Sequence, residues 1–583
     1  MIDNRFKVKV YYIVKSHIVH LAAILTFVAC SVCVFDAGAQ LYLNHTPAFT
    51  DNTSNVILFS IPKERFGDDF TAVVQVDTAS GWRNITVNGR HLTENPITFE
   101  EVTGDKSYIV RAMINNKLVV KRLQFTYLPI MQLNGDFGYD FIPATVTMLT
   151  PGEPIDTGMT ALVKWRGGYT NSEGRHKRNY SIKFVDENGE KQNRKLLGMR
   201  RDNHWKLDAG QVDLSRVRNR VATDLWLDMS TEPYYFDDAP DAIMGARGKP
   251  VEVFVGNTYM GIYHLIENID RKQLDVKKFD EDTKQAHGMI WNTTAWTNVT
   301  AFKSLIYYNN YSESYDRFVV EYPEIEDVCP THHEDMYNAV RFVARGTLSS
   351  FNANAHTYFD MPVIIDYAIL NQLLTSIDNE VNNIFWVIYD REVDKKLTLA
   401  VWDLDWSLGT DRNSPTFRGE RAMPDYDFEF SSKLLYMLQD PKCIYYKAMV
   451  QRYWELRKTW LSLESLTERV SSAVDNLVAC GAVAREEARW SGDSDINGLP
   501  LDIVAEKEYI INWIKQRLAF LDRTLMHHPC DVDGDGTVTA VDILMVTSYL
   551  MEGINYDANL DVDGDGTVTA ADLAIIYRYL LGN

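Results

Sequence analysis

The residues whose types and spacing could do chemistry are concentrated between positions 378 and 405. Asp378 lies five residues before Asn383, and Asp403 and Asp405 follow the next apolar stretches. An Asp that accepts a hydroxyl proton, followed by an Asn and a second Asp that hold a metal ion, is the order found in phosphoryl-transfer sites. Magnesium needs few protein ligands, because it keeps waters and takes phosphate oxygens. The spacing alone is equally consistent with a turn acid and a capping Asn.

Two short strands and one helix are expected to position these residues. The apolar stretches 384–389 and 397–406 flank a charged turn, which predicts a hairpin with the Asp/Asn cluster at its entrance and two carboxylates at its exit. A hairpin brings these separated acids to one end. Residues 362–374 begin with Pro and continue with apolar residues at helical spacing, which predicts a helix whose end delivers Asp378.

Basic residues are locally enriched in an acidic chain around the β-like segment 144–206. Lys177, Arg178 and Lys183 lie close together there and would stabilise a bound polyphosphate. The alternative is a solvated basic turn followed by an edge-strand lysine. Glu267 ends a second hairpin, and its carboxylate either faces solvent or is held by a basic group.

Length, composition and charge limit the class of protein. A chain of 583 residues is too long for one core and predicts about two to four domains. Its hydrophobic content of 46% is that of an ordinary globular protein. The net charge of −21 argues against a nucleic-acid surface, which would be basic.

The first 39 residues have the pattern of a secretory signal. Four basic residues precede an apolar run over 18–35, and Ala37-Gly38-Ala39 provides a small-residue cleavage site. Lipid attachment at Cys30 is an alternative, and an uncleaved anchor is a third, because the run is at the short end for spanning a membrane. We therefore expect a secreted or bacterial surface protein, with membrane contact only through a lipid at Cys30.

The cysteines do not predict a metal centre or a disulfide scaffold. Cys30 and Cys33 lie within the signal segment. The remaining four are too few and too scattered for either role, although they could pair in an oxidising compartment. These four are Cys329, Cys443, Cys480 and Cys530.

The predicted fold class is α+β. Short alternating segments separated by Asn, Gly and Asp turns predict a β-sandwich over 40–135. Residues 212–229 predict a helix capped by Asp213 or Ser215, and 443–525 read as helical.

The C-terminal repeat is the strongest local pattern. A twelve-residue acidic stretch starting at Asp531 recurs thirty residues later, and each copy is followed by a short apolar helix. Oxygen ligands at positions 1, 3, 5, 9 and 12, a backbone carbonyl at 7 and Gly at 6 are the pattern of a calcium loop. The predicted ligands are Asp531, Asp533, Asp535, Thr537, Thr539 and Asp542, and then Asp561, Asp563, Asp565, Thr567, Thr569 and Asp572.

This paired arrangement over 531–583 resembles a type I dockerin, and we place the domain at 527–583. The resemblance implies two bound calcium ions, a small all-α module and a cohesin-like domain as partner. Positions 10 and 11 of the loops are Ala540-Val541 and Ala570-Ala571, where many cohesin-binding dockerins carry Ser or Thr. This departure concerns the partner rather than the calcium.

The middle of the chain, roughly 140–525, resembles the spore-coat protein H (CotH) kinase family, and the corresponding domain is placed at 136–526. The motifs that carry the resemblance are Trp165-Arg166-Gly167, residues 177–183, Leu196-Leu197-Gly198-Met199, residues 202–207, Arg218-Asn219, Gly261-Ile262-Tyr263 with Glu267, Asp378 with Asn382-Asn383, and Trp402-Asp403-Leu404-Asp405. The resemblance implies a diverged protein-kinase-like α+β fold that uses ATP and Mg²⁺. It also implies that Asp378 is the catalytic base, that Asn383 and Asp403 are metal ligands, and that Asp405 is a further metal candidate.

On the nucleotide side, the resemblance implies that Lys183 contacts the ATP phosphates and pairs with Glu267. Arg166 and Lys177 would line the same pocket. Family members often have a polar residue at the position held here by Tyr169, so nucleotide binding could differ in this chain.

Two functions are compatible with these observations. One is a secreted atypical protein kinase that transfers the γ-phosphoryl of ATP to a hydroxyl of a secreted or surface protein, with attachment through the dockerin. The other is a non-catalytic structural or glycan-associated surface protein assembled through the dockerin. Scarce extracellular ATP favours the second, whereas retention of Asp378, Asn383 and Asp403 together favours the first.

Overall fold

The computed structural model describes residues 40–77, 81–114, 116–172, 174–324, 332–492, 499–534, 537–553 and 557–581. These residues fold into two compact units. The first unit contains described residues of 40–216, 247–268 and 473–503, and the second contains those of 217–246, 269–472 and 504–581. The predicted signal segment and Cys329 lie outside the described residues. Within the described ranges, no helix is both long enough and apolar enough to cross a membrane.

Eleven α-helices occur in the described residues. In chain order, α1 to α11 are Arg218–Met229, His333–Arg345, Leu348–Tyr358, Met361–Leu374, Lys433–Tyr436, Ile444–Arg457, Leu463–Ala479, Ala482–Trp490, Ile503–Thr524, Ala540–Glu552 and Ala570–Leu580. The helix predicted over 362–374 is confirmed as α4, with Pro in its first turn. The helix predicted from 212 begins later, at Arg218, because Arg216 has a left-handed φ of 63° that α-helix does not allow.

The start of the chain is rich in β-structure, as predicted. Its strands β1 to β11 are Leu41–Leu43, Thr46–Pro47, Phe49–Thr50, Val56–Ser60, Phe70–Ala72, Val74–Val76, Arg83–Val87, Arg90–His91, Ile97–Phe99, Tyr108–Ile114 and Lys117–Thr126. They form a six-stranded sheet (β3-β4-β11-β10-β7-β8), a three-stranded sheet (β2-β1-β6) and the pair β5-β9. Apolar residues of all three sheets share one buried core. A two-layer sandwich stays a prediction.

The rest of the first unit is built on a closed seven-stranded sheet. The next strands, β12 to β20, are Ile130–Asn134, Ile142–Leu149, Asp156–Arg166, Asn179–Phe184, Arg194–Lys195, Arg201–Asp202, His204–Asp208, Gly248–Val255 and Thr258–Glu267. The order around the closed sheet is β12-β13-β14-β15-β18-β20-β19, and β16-β17 form a separate pair. The predicted hairpin ending at Glu267 is confirmed as β19-β20, which turns at Gly256.

The second unit contains a five-stranded sheet and most of the helices. Strands β21 to β25 are Met289–Thr293, Ser314–Tyr315, Phe318–Tyr322, Ile384–Ile388 and Thr398–Val401, in the order β22-β23-β21-β24-β25. The predicted hairpin is confirmed as β24-β25, although its second strand ends at Val401. Asp403 has a φ of 58°, and this left-handed conformation is incompatible with extended backbone.

A close approach of two glycines joins distant parts of the first unit. Gly104 precedes β10, and Gly481 precedes α8. A Cβ added at Gly104 would lie within 3.0 Å of the backbone of Cys480 and Gly481. The contact therefore requires glycine at position 104.

We expect Gly104→Ala to destabilise the protein by about 1–3 kcal/mol, because overpacked backbone contacts must move apart. Thermal unfolding of the full-length protein would measure the change. Gly138→Ala is the matched control, since nothing lies within 4 Å of a Cβ added at Gly138. Equal melting temperatures for the two variants would contradict the role assigned to Gly104.

Candidate functional site

The turn that follows α4 is tied to the end of β25. Ser376 Oγ donates to Asn379 Oδ1 at 2.6 Å, and Asn379 Nδ2 donates to the Trp402 carbonyl at 2.7 Å. The Tyr367 hydroxyl, which lies on α4, donates to the Asn379 carbonyl. Asn379 thus connects the helix, the turn and the exit of the hairpin.

The hairpin places Asp403 at the same end as the Asn pair. Ile384 pairs with Val401 in the antiparallel ladder. Asn382 and Asn383 precede β24 and Asp403 follows β25, so all three residues lie at this end of the hairpin. Asn383 and Asp403 have left-handed φ values of 57° and 58°, which Asn and Asp tolerate better than most residues. Such sparsely populated conformations cluster at functional sites.

Asp378 is held by three side-chain donors. Arg412 Nη1 lies 2.5 Å from its Oδ1, and Asn382 Nδ2 donates to the same oxygen at 3.2 Å. Asn383 Nδ2 donates to Oδ2 at 3.4 Å. The side chain of Asp378 is only 15% exposed. Asp378 and Asn383 therefore lie together as the sequence predicted, whereas Arg412 was not anticipated.

The side chains at this end of the hairpin carry oxygen atoms of the type that a metal ion binds. Both Asn side chains direct their amide nitrogens to Asp378, so their amide oxygens remain as acceptors. The Oδ1 of Asn382 is buried and has no hydrogen-bond partner among the described residues. Asp403 and Asp405 are half-buried in the segment after β25. Amide and carboxylate oxygens are hard ligands of the kind that magnesium takes.

In the first unit, Lys177 lies in a buried polar network. Its Nζ donates to the carbonyls of Ala209 and Ile262 at 2.8 and 2.7 Å, and to Glu486 Oε1 at 2.7 Å. The residue is 1% exposed. Three acceptors match the three N–H donors of an ammonium group. Lys177 is thus fully engaged by protein atoms.

Glu486, on α8, is the acid at the centre of this network. It accepts from Arg216 Nε at 2.6 Å through Oε1 and from the Ile262 amide at 2.8 Å through Oε2. Burial alone would raise the pKa of Glu486, but Lys177 and Arg216 together hold that pKa below its ordinary value. Burial lowers the pKa of Lys177 to about 7, against the attraction of Glu486. Sequence reasoning missed Glu486 and Arg216, since no local motif marks either.

Glu267 is held by a basic group, which was one of the two predicted alternatives. Arg247 donates to its carboxylate through Nη2 at 2.6 Å and Nε at 2.9 Å, and the Arg200 amide donates at 2.9 Å. Lys183 lies within β15, with its Nζ 4.6 Å from the centre of the Phe141 ring.

The last residue predicted for the nucleotide side lies at the end of a strand. Arg166 is the last residue of β14. The pairing of Lys183 with Glu267, and contacts of Arg166, Lys177 and Lys183 with ATP, stay predictions.

The two acidic loops near the C-terminus gather carboxylates as a calcium site requires. Ligand atoms of Asp531, Asp533 and Asp542 lie within 4.8 Å of one another, and so do those of Asp561, Asp563 and Asp572. The Oδ1 of Asp561 is buried and has no hydrogen-bond partner in the described part of the chain. An unpartnered buried carboxylate oxygen fits a cation ligand.

Backbone amides and helix caps hold these loops in shape. Asp572 Oδ1 accepts from the amides of Val562 and Asp563, and Asp542 makes the corresponding bonds in the first loop. Thr539 and Thr569 cap α10 and α11 through their hydroxyls.

The remaining predicted ligands lie in the same loops. Hydrogen bonds from Thr567 lower the pKa of Asp565. Thr537 is a described residue of the first loop, whereas Asp535 lies outside the described residues.

We expect Glu486→Gln to destabilise the protein by about 3–5 kcal/mol, because it removes the buried carboxylate that both Lys177 and Arg216 contact. Thermal unfolding of the full-length protein measures this loss. Glu187→Gln removes the same charge from an exposed turn of the first unit and should leave the melting temperature within experimental error. If Glu486→Gln lowers the melting temperature no more than Glu187→Gln does, the negative charge of Glu486 is not needed to keep Lys177 and Arg216 buried.

The acidic loops predict two calcium ions per chain. Isothermal titration should find two sites in the unmodified protein and one in Asp533→Asn or Asp563→Asn. Asp557→Asn, outside both loops, should keep two. Chelation should increase hydrogen exchange in α10 and α11, because metal binding provides the folding energy of such loops. Unchanged exchange after chelation would contradict this role for calcium.

Comparisons with known proteins identify families for two parts of the chain. A search of curated proteins finds no match to the chain. The family model described as CotH kinase protein matches residues 163–521, and that of the dockerin type I domain matches residues 529–581. The first match covers Asp378, Asn383 and Asp403, and the second covers both acidic loops. The chain therefore belongs to the CotH kinase protein family and carries a dockerin type I domain at its C-terminal end.

Proposed function

We propose that the protein is an exported atypical protein kinase that transfers the γ-phosphoryl group of ATP to a hydroxyl of a secreted or surface protein. Its dockerin attaches it to a partner that bears a cohesin-like domain. The observation that carries the proposal is the cluster of Asp378, Asn382, Asn383 and Asp403 at one end of the hairpin. Membership of the CotH kinase protein family gives the cluster its reaction class.

Asp378 is proposed to accept the proton of the attacking hydroxyl. Its carboxylate is fixed by the Asn382 and Asn383 amides, so it does not need to reorient when an acceptor hydroxyl arrives. General-base assistance of this kind contributes about 10²–10⁴-fold to a rate. Arg412 Nη1 lies 2.5 Å from Oδ1 of the same carboxylate and helps to fix its position.

Asn383 and Asp403 are proposed to hold Mg²⁺, with Asp405 as a further ligand. The buried oxygen of Asn382 adds an acceptor that the sequence prediction did not include. ATP with Mg²⁺ would supply the transferable phosphoryl group and neutralise its charge. Lys183 is proposed to contact the phosphates, with Arg166, Lys177 and Glu267 as the remaining residues of the nucleotide side.

The alternative is a non-catalytic surface protein, structural or glycan-associated, that is assembled through the dockerin. Two observations favour it. Arg412 occupies one oxygen of Asp378, and all three donors of Lys177 are engaged within the protein. A protein of this kind would keep the fold and bind no nucleotide.

We expect the unmodified full-length protein to bind ATP in a magnesium-dependent manner, and Asp403→Ala to weaken that binding at least about tenfold, because it removes a metal ligand. Isothermal titration with ATP and Mg²⁺ measures both. Asp378→Asn should keep ATP binding and lose about 10²–10⁴-fold in phosphate transfer, since it removes the base.

Glu392→Ala provides the matched control, because Glu392 is an exposed acid at the opposite end of the same hairpin. Its ATP affinity should equal that of the unmodified protein. Absence of ATP binding by the unmodified protein would refute the kinase proposal and favour the non-catalytic one.

A further inference from the structure

Helix α6 contacts the second calcium loop within the second unit. Lys447 Nζ lies 3.1 Å from Asp561 Oδ2 and 3.4 Å from the Asp561 carbonyl. One turn further along α6, Gln451 Nε2 donates to the Asp563 carbonyl at 3.4 Å. Both partners are at ligand positions of the loop, namely positions 1 and 3. The helix therefore contacts the ion-binding part of the dockerin.

The contact with Lys447 is compatible with a bound calcium ion. Oδ2 of Asp561 accepts from Lys447 and also from the Gly566 amide at 3.0 Å. Oδ1 of the same carboxylate is buried and has no hydrogen-bond partner among the described residues. An ion and the lysine would thus use different oxygens of one carboxylate. Lys447 can orient Asp561 without displacing calcium.

The two loops differ in how closely they approach other residues. A Cβ added at Gly564, position 4 of the second loop, would lie 3.7 Å from Lys447 Cδ and 3.8 Å from Gln451 Nε2. A Cβ added at Gly534, the equivalent position of the first loop, has nothing within 4 Å. At this position, only the second loop packs against α6.

The direct contacts of α6 with the second loop are polar, and the interface is incompletely packed. A cavity of about 340 Å³ lies beside these contacts, and its lining includes Tyr446, Lys447, Gln451, His527, His528 and Asp561. The side chain of Lys447 is 40% exposed, so its ion pair is partly solvated. Partly solvated pairs contribute modestly to stability, which favours a reversible contact over a permanent one.

The connection between α9 and the first loop is short. Six residues, 525–530, separate Thr524 from Asp531. Trp454 Nε1, on α6, donates to the Met526 carbonyl of this connection at 2.8 Å. Release from α6 would therefore let the dockerin move only as far as this short segment reaches.

We propose that α6 is a docking surface for the calcium-loaded second loop of the same chain. Lys447 recognises the Asp561 carboxylate, and Gln451 recognises the Asp563 carbonyl. Calcium shapes the loop that α6 binds. Bound calcium therefore holds the dockerin against the CotH kinase domain, and removal of calcium releases the dockerin. This inference rests on the proposed calcium binding by the dockerin and is independent of kinase activity.

The test uses small-angle X-ray scattering in the presence of calcium. It compares the maximum dimension of the unmodified full-length protein with that of the Lys447→Glu variant. Reversing the charge replaces attraction to Asp561 by repulsion. We expect the variant to bind two calcium ions in titration and its maximum dimension to increase by up to about 20 Å, the reach of the short connection at about 3.5 Å per residue. Gln451→Glu, which places an acid beside the same loop, should give a smaller increase.

Lys515→Glu makes the same charge change on an exposed position of α9 and should scatter like the unmodified protein. If Lys447→Glu and Gln451→Glu both bind two calcium ions and keep the original dimension, the docking proposal is wrong. If the unmodified protein binds no calcium, the premise of calcium binding fails and the docking proposal falls with it. The titration therefore separates the two failures.

Discussion

The antiparallel pairing of β24 with β25 is the constraint on which the candidate phosphoryl-transfer site depends. It pairs Ile384 with Val401, so the residues before β24 and the residues after β25 leave the sheet at the same end. Asn379 reinforces this arrangement by donating to the Trp402 carbonyl. A slip of one residue would turn every side chain of the shifted strand to the opposite face of the sheet and would change the position of Asp403 relative to Asn383. The chemistry proposed for these residues therefore depends on the register of the sheet as well as on the individual acids.

The first unit depends on a buried charge that is neutralised from several directions. Glu486 accepts from two cations and from the Ile262 amide. Its approach to that amide requires glycine at 261, because an added Cβ there would overlap Oε2. Burying an isolated carboxylate would be strongly unfavourable, but here the carboxylate accepts hydrogen bonds from three buried donors. Gly261, Glu486 and the two cations therefore form one buried network. Its residues come from three separate stretches of the chain.

Features encoded in neighbouring residues could be predicted from the sequence. The β24-β25 hairpin, α4 and the calcium loops follow from periodicity, turn residues and ligand spacing. Pairings between distant residues could not be predicted. Glu486 lies 309 residues from Lys177, and Arg412 lies 34 residues from Asp378, so no local pattern links either pair. The start of α1 was misplaced because the left-handed Arg216 breaks a helical pattern that the apolar spacing alone would extend.

The contact of Gly104 with the residues around Gly481 also constrains the order of folding. The first unit takes its residues from three stretches, and the last of them contains α8. Its long-range contacts cannot all form while a ribosome is still making the middle of the chain. Contacts between such distant residues carry a large loop-closure entropy, and they slow folding. Completion of this unit is therefore a late event, after about five-sixths of the chain has been synthesised.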